Sequence, residues 1–259
     1  MDRRQVLTMI VAGAAGVAAG VTPELWRPER HRSAHAAAAR RAPAPPPDPG
    51  FAPARSMRAA TSPIHSLHDL APAAPPNAVA LTIDDGPHPY WTPKVLDVLA
   101  EFDVHATFNM IGEQVPDNAR LVQRIVASGH QIADHTLTHP INLPRLPAAR
   151  IQQEIAEAHD RIAQAASAAP RFFRSPGGNW SPQVIETATA LGMICVDWGV
   201  DPRDWARPGV PHITENLEKA KPGDILLCHD GGGDRSQTVA ALRTVIPALK
   251  QRGLTFVAL

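Results

Sequence analysis

Runs of apolar, β-branched residues alternate with stretches whose apolar positions recur every three or four residues. The runs at 79–83, 106–111, 131–134, 171–174, 193–198, 224–228 and 255–258 predict seven strands. Between them, 92–102 places Val95, Leu96, Val98 and Leu99 on one side of a helix. The segment 118–128 stops at Gly129, and 148–167 repeats Ile151, Ile155, Ala158 and Ile162 at helical spacing. Further helices are predicted at 182–191, 213–220 and 236–251. Strand–helix alternation argues for a parallel sheet, as a closed barrel or an open doubly wound sheet.

The first 76 residues do not share this pattern. Arg3-Arg4 precedes an apolar stretch from Val6 to Val21 that is short for a membrane span. Its charge and small residues fit a secretory signal, and the paired arginines resemble a twin-arginine signal. An ordinary signal or an uncleaved anchor is the competing reading. Ala34-His35-Ala36 offers an A-x-A cleavage site, although far past the apolar core, and residues 1–36 are read as an export signal. Residues 37–76 are rich in Ala and Pro, which removes backbone donors and favours extended chain. They are read as a disordered linker, with His65 and His68 solvated inside it. Residues 77–259 form the one remaining domain, long enough for a sizeable core.

Lys plus Arg and Asp plus Glu each number 25, a balance that argues against nucleic acid as a partner. Two cysteines, Cys195 and Cys228, are too few for a disulfide framework. Each falls in a predicted strand and reads as a buried thiol, although export would permit a bridge.

The chemistry stands out against this background. Val79-Ala80-Leu81-Thr82-Ile83 runs straight into Asp84-Asp85 and then Gly86-Pro87. Adjacent carboxylates at the end of a buried strand repel each other unless a cation joins them. His135 and His139 lie four apart and can turn to one point. One Asp and two His leave coordination positions open, as a catalytic metal requires. Arg174, the 201–204 loop and His229 also fall where predicted strands run out. Active sites of parallel barrels gather at those carboxyl ends, which favours a distorted (β/α) barrel of about seven parallel strands.

Five segments carry a family resemblance. Thr82-Ile83-Asp84-Asp85-Gly86-Pro87 resembles the first motif of the polysaccharide deacetylases, the carbohydrate esterase family 4 or NodB-homology domain. His135-Thr136-Leu137-Thr138-His139, Arg174-Ser175-Pro176-Gly177-Gly178, Asp201-Pro202-Arg203-Asp204-Trp205 and Leu227-Cys228-His229 resemble the second to fifth, in family order. The resemblance implies a metal held by Asp85, His135 and His139. It makes Asp84 the general base toward a metal-bound water, and His229 the general acid for the departing amine. Zinc suits such a site, and cobalt or nickel would also fit.

It further implies that Arg174 pins Asp84 and that Asp204 orients His229. Pro176, Gly177, Trp205 and Leu227 are expected to meet the substrate, the last two as a wall for the acetyl methyl. For Trp205 plain core packing is the competing reading. Gly177-Gly178 lets backbone approach, and an N–H there could donate to an oxyanion. Family members often carry Tyr at position 177, and any side-chain contact it makes is absent here. Asp134 replaces a common Asn, as a partner that orients a ligand or as a residue at the core rim. Ile83 replaces a usual Phe. His88, His105, His130, His159 and His212 match no motif.

The activity so implied is metal-dependent removal of N-acetyl groups from N-acetylglucosamine polymers, with peptidoglycan first and chitin oligomers next. Rival readings are an acetylxylan O-deacetylase, a non-catalytic carbohydrate-binding domain, a glycosidase and a metal-storage protein. A glycosidase needs carboxylates flanking the bond, which sequence neighbours do not readily supply. A non-catalytic version should have lost its base or acid, and this chain keeps Asp84, Arg174 and His229. A monomer, exported to the cell envelope or beyond and bound to a polysaccharide, is expected.

Overall fold

The computed structural model describes residues 62–259. The expected export signal, and the expected linker up to residue 61, lie outside the described residues. All seven predicted strands form: β1 Ala78–Gly86, β2 Thr107–Met110, β3 Gln131–Asp134, β4 Phe172–Phe173, β5 Ile194–Cys195, β6 Ile225–His229 and β7 Thr255–Val257. They make one parallel sheet in the order β5-β4-β3-β2-β1-β6, with β7 paired to the start of β1. The chain leaving β5 returns to β6, where Leu227 N–H donates to Val200 O at 2.9 Å. That contact curls the sheet into an open, distorted barrel.

Among the described residues, six helices cover the outside: α2 Trp91–Glu101, α3 Ala119–Ala127, α4 Ala148–Ala166, α5 Pro182–Ala190, α6 Val210–Leu217 and α7 Ser236–Gln251. Each was predicted to within a few residues. The period of two in β1 sorts its side chains. Val79, Leu81 and Ile83 pack outward against α2, α3, α6 and α7. Ala78 and Ala80 face inward, and Thr82 and Asp84 continue that inner row toward the barrel mouth.

The domain boundary at 77 needs correction. Residues 64–74 do not behave as a solvated linker. A short helix, α1 Leu67–Leu70, is capped by the Ser66 side chain. It plugs the floor of the barrel with Leu67 and Leu70 against Ala80, Phe172, Val196 and Ile225. Its prolines lie outside the helix, so proline content alone misreads it. Small Ala side chains at the base of β1 leave room for the two leucines. His65 is exposed, as expected, with Nδ1 3.3 Å from Trp198 O. His68 is not solvated, because its Nε2 is buried without a hydrogen-bond partner. Cys195 and Cys228 are buried free thiols. They belong to different apolar clusters on the outer face of the sheet.

Candidate active site

Strict alternation would send Asp85 outward, opposite to Asp84. A β-bulge prevents this. The β1–β2 register pairs Asp84 with Asn109 but Gly86 with Met110, so Asp85 is an extra residue. Its φ of 75° lies in the left-handed region. Bulges of this kind re-aim a side chain, and here both carboxylates serve one mouth. The loop after β6 presses on the same point, where a Cβ on Gly231 would collide with Asp85 O. Only glycine fits there.

The loop after β3 brings the two imidazoles to Asp85. His135 Nε2 and His139 Nε2 lie 3.6 and 3.3 Å from Asp85 Oδ1. Thr136 and His139 both hold positive φ, at 67° and 60°. Non-glycine residues in that region cost about 1–3 kcal/mol each unless the surroundings fix them. Two carboxylates supply the fixing. Asp134 Oδ1 accepts from Thr136 N–H at 2.8 Å. Glu154, on α4, accepts from both Thr138 N–H and Thr138 Oγ1 at 2.9 Å. Burial drives the Asp134 pKa well above the usual carboxylate range, with Glu154 adding to it. Asp134 is therefore a loop support.

Arg174, fully buried, spans the inner face. Its Nη1 donates to Thr82 Oγ1 at 2.7 Å and to Asp84 Oδ1 at 2.8 Å, and its Nη2 to Asp197 O at 3.0 Å. Asn109 Nδ2 donates to the same Asp84 oxygen at 2.5 Å. Burial would raise the Asp84 pKa. The Arg174 charge, then His135 and His229, and the Asn109 hydrogen bond outweigh it and hold it below the usual value. With Oδ1 doubly occupied, Oδ2 is the oxygen left for a proton.

On β6, His229 sits in register with Asp84. Asp204 grips it twice: Oδ1 lies 2.7 Å from His229 Nδ1, and Oδ2 accepts the His229 backbone N–H at 2.9 Å. Thr238 Oγ1 on α7 donates to Oδ2 at 2.7 Å and locks the carboxylate. Burial would lower the His229 pKa. The Asp204 hydrogen bond and charge, with Asp84 and Asp85, outweigh it and push it up to about 9.

The remaining expected residues divide. Pro176, Gly177 and Gly178 form a 3₁₀ turn in which Gly177 has φ 63°. Gly178 N–H is spent on Ser175 O at 3.0 Å, so of the pair only Gly177 N–H can be offered to an oxyanion. Leu227 is buried two residues before His229 on the same strand face. Trp205 is 47% exposed, which sets aside the core-packing reading; Arg203 lies over its ring at 5.1 Å.

Sequence reasoning missed four supporting residues. Asn109 is the polar position inside a predicted strand, and Glu154 the carboxylate on the Ile151–Ile155 face of α4. Those two signals were available. Thr238 and Asp230 left none, since only the fold brings them in. Asp230 is buried after β6, accepts from Thr92 Oγ1 at 2.5 Å, and is raised to about 7 chiefly by burial.

The donor set fits a metal. Donor atoms of Asp85, His135 and His139 lie within 4.8 Å of one another. Asp85 Oδ1 is buried with no hydrogen-bond partner. His135 Nδ1 is 2.8 Å from Arg174 O, which turns Nε2 toward the cluster as a lone-pair donor. Burial lowers the His135 pKa, keeping the imidazole neutral.

Known proteins resemble this chain in sequence and in fold. A family model described as polysaccharide deacetylase matches residues 71–196. A chitooligosaccharide deacetylase of Bradyrhizobium sp. (strain ANU 289) is 46% identical over 189 residues, covering 68% of this chain and 86% of the relative. A peptidoglycan-N-acetylglucosamine deacetylase of Bacillus cereus (strain ATCC 14579) is 43% identical over 182 residues, covering 69% and 84%. Among solved structures, the Bc1960 peptidoglycan N-acetylglucosamine deacetylase superposes with a TM-score of 0.70 at 35% identity, covering 77% of this chain and 91% of that one.

Proposed function

The chain belongs to the polysaccharide deacetylase family, and from that premise we propose that it hydrolyses N-acetyl groups of N-acetylglucosamine polymers and releases acetate. The observation that carries the reading is one donor cluster flanked by two oppositely prepared groups. Asp84 is held ionised by Arg174, and His229 is held protonated by Asp204. Asp85, His135 and His139 would hold a divalent cation, zinc by their nitrogen-rich set. Such an ion would lower the pKa of a bound water and polarise the acetyl carbonyl.

The chain's own residues do the rest. Asp84 Oδ2 takes the proton of the attacking water. A carboxylate stabilised by Arg174 is a weak base, so its role depends on an acidified water. Arg174 and Asn109 fix the Asp84 carboxylate plane through Oδ1. Gly177 N–H donates to the developing oxyanion. His229, with Nδ1 committed to Asp204, gives its Nε2 proton to the leaving amine. Leu227 and Trp205 supply the apolar side of the acetyl pocket.

The decisive comparison is acetate release from chitotetraose, peptidoglycan strands and acetylxylan, with Asp84→Asn as control. Release from the N-acetyl substrates that Asp84→Asn abolishes supports the proposal. Release from acetylxylan alone, or equal release by the mutant, overturns it. Export through residues 1–36 is part of the same proposal, because these polymers lie outside the cytoplasm.

A further inference from the structure

Beside the donor cluster, the loops following β3 and β4 are clipped together. Asn179 Nδ2 donates to Ile141 O at 3.1 Å and to Pro176 O at 3.2 Å. The clip encloses a cleft of about 530 Å³ lined by Ile141, Asn142, Pro144, Arg145, Asn179 and Trp180. That volume is of the size that takes a small ligand. The cleft adjoins the site: Ile141 follows His139 by two residues, and its Cδ1 lies 3.5 Å from where a Cβ on Gly177 would stand.

The cleft is built in advance. Trp180 is pinned from below, with Nε1 donating to Asp197 Oδ2 at 2.9 Å and its ring edge-on to Phe173 at 5.8 Å. Ile141 is 57% exposed and offers the cleft an apolar surface. Two amides and one guanidinium complete the lining, and no carboxylate is among them. Arg145 is exposed and makes none of the ion pairs found among the described residues. A cation left unneutralised in a preformed cleft selects for an anion.

We propose that this cleft is a subsite for a sugar adjoining the one deacetylated, and that Arg145 in it binds a carboxylate of the polymer. The substrate class is then an N-acetylated glycan bearing carboxylates, preferred over a neutral one; the inference rests on the deacetylase reading. The carboxylate belongs either to a lactyl ether on the sugar or to a peptide attached to it.

The test is calorimetric binding to the zinc-loaded chain. The ligands are chitotetraose, a tetrasaccharide of alternating N-acetylglucosamine and muramic acid with free lactyl carboxylates, and the same tetrasaccharide carrying peptides. A carboxylate ligand should bind roughly five-fold tighter than chitotetraose at low salt, the scale of an exposed ion pair, and high salt should shrink the difference. Whichever carboxylate ligand binds tighter identifies the source. Arg145→Gln should collapse the ratio and Arg145→Lys should restore part of it. Equal binding of all ligands to the wild-type chain, or equal weakening of all by Arg145→Gln, overturns the subsite. Preference without acetate release from any ligand upholds the subsite and sinks the deacetylase reading. Release without preference does the reverse.

Discussion

Arg174 Nη1 lies 2.8 Å from Asp84 Oδ1, and neither side chain is more than 3% exposed. The pair couples activity to stability. Replacing Arg174 by Met leaves Asp84 buried beside Asp85 without its cation. Removing one partner of such a pair costs about 3–5 kcal/mol. Urea denaturation of Arg174→Met should show that loss. Adding Asp84→Asn to the same chain should recover much of it, because the orphaned charge is gone. An Arg174→Met chain as stable as wild type would remove the pair from the account.

Asp84→Asn keeps the shape and the Arg174 contact while deleting the base. Acetate release should fall about 100- to 10,000-fold, the usual range for one acid–base group. Zinc content by elemental analysis should be unchanged, since the proposal gives the metal to Asp85, His135 and His139. His135→Ala should lose metal and activity together.

His229 links pH to stability. Its folded pKa of about 9 stands above the ordinary value of 6.5. A raised pKa means the folded chain binds the proton more tightly than the unfolded one. The resulting stabilisation, on the order of 3 kcal/mol, is complete below about pH 6.5 and disappears as pH rises through about 9. In the metal-free chain, denaturation midpoints should fall across that window. In His229→Gln the slope should flatten, and a slope equal to wild type would contradict the assignment. Metal binding brings positive charge close to His229 and should move the window to lower pH.

Glu154 touches no metal donor but holds Thr138 between the two imidazoles. Glu154→Ala should weaken zinc binding roughly 10- to 100-fold, as loss of a supporting partner does, with kcat largely recovered at saturating zinc. A kcat that stays low at saturating metal, in a chain of normal stability, would show that Glu154 does more than hold the loop.

Leu67 on α1 plugs the barrel floor with no exposure. Leu67→Ala should cost about 2–5 kcal/mol. A chain starting at residue 77, the boundary composition suggests, should unfold at lower denaturant than one starting at residue 62.

The sheet was legible because each strand is a short apolar run between helices whose stripes repeat cleanly. The candidate site was legible because its residues are of types that packing does not choose: paired Asp at a strand end, His four apart, an Arg where a predicted strand runs out. What escaped depends on long-range geometry. No pattern in Val79-Ala80-Leu81-Thr82-Ile83-Asp84-Asp85 announces a bulge that lets neighbouring carboxylates share one mouth. Thr238 reaches Asp204 across 34 positions of sequence. The α1 plug hides in a segment whose prolines resemble those of the linker before it. Its two leucines show their purpose only when Ala78 and Ala80 are seen to leave space beneath Thr82.

The most direct test of metal-dependent deacetylation is acetate released from chitotetraose and peptidoglycan strands by the zinc-loaded chain, before and after chelation. The predicted result is release that stops when the metal is removed and returns when zinc is restored. Undiminished release from a chain shown by elemental analysis to hold no metal would contradict the account.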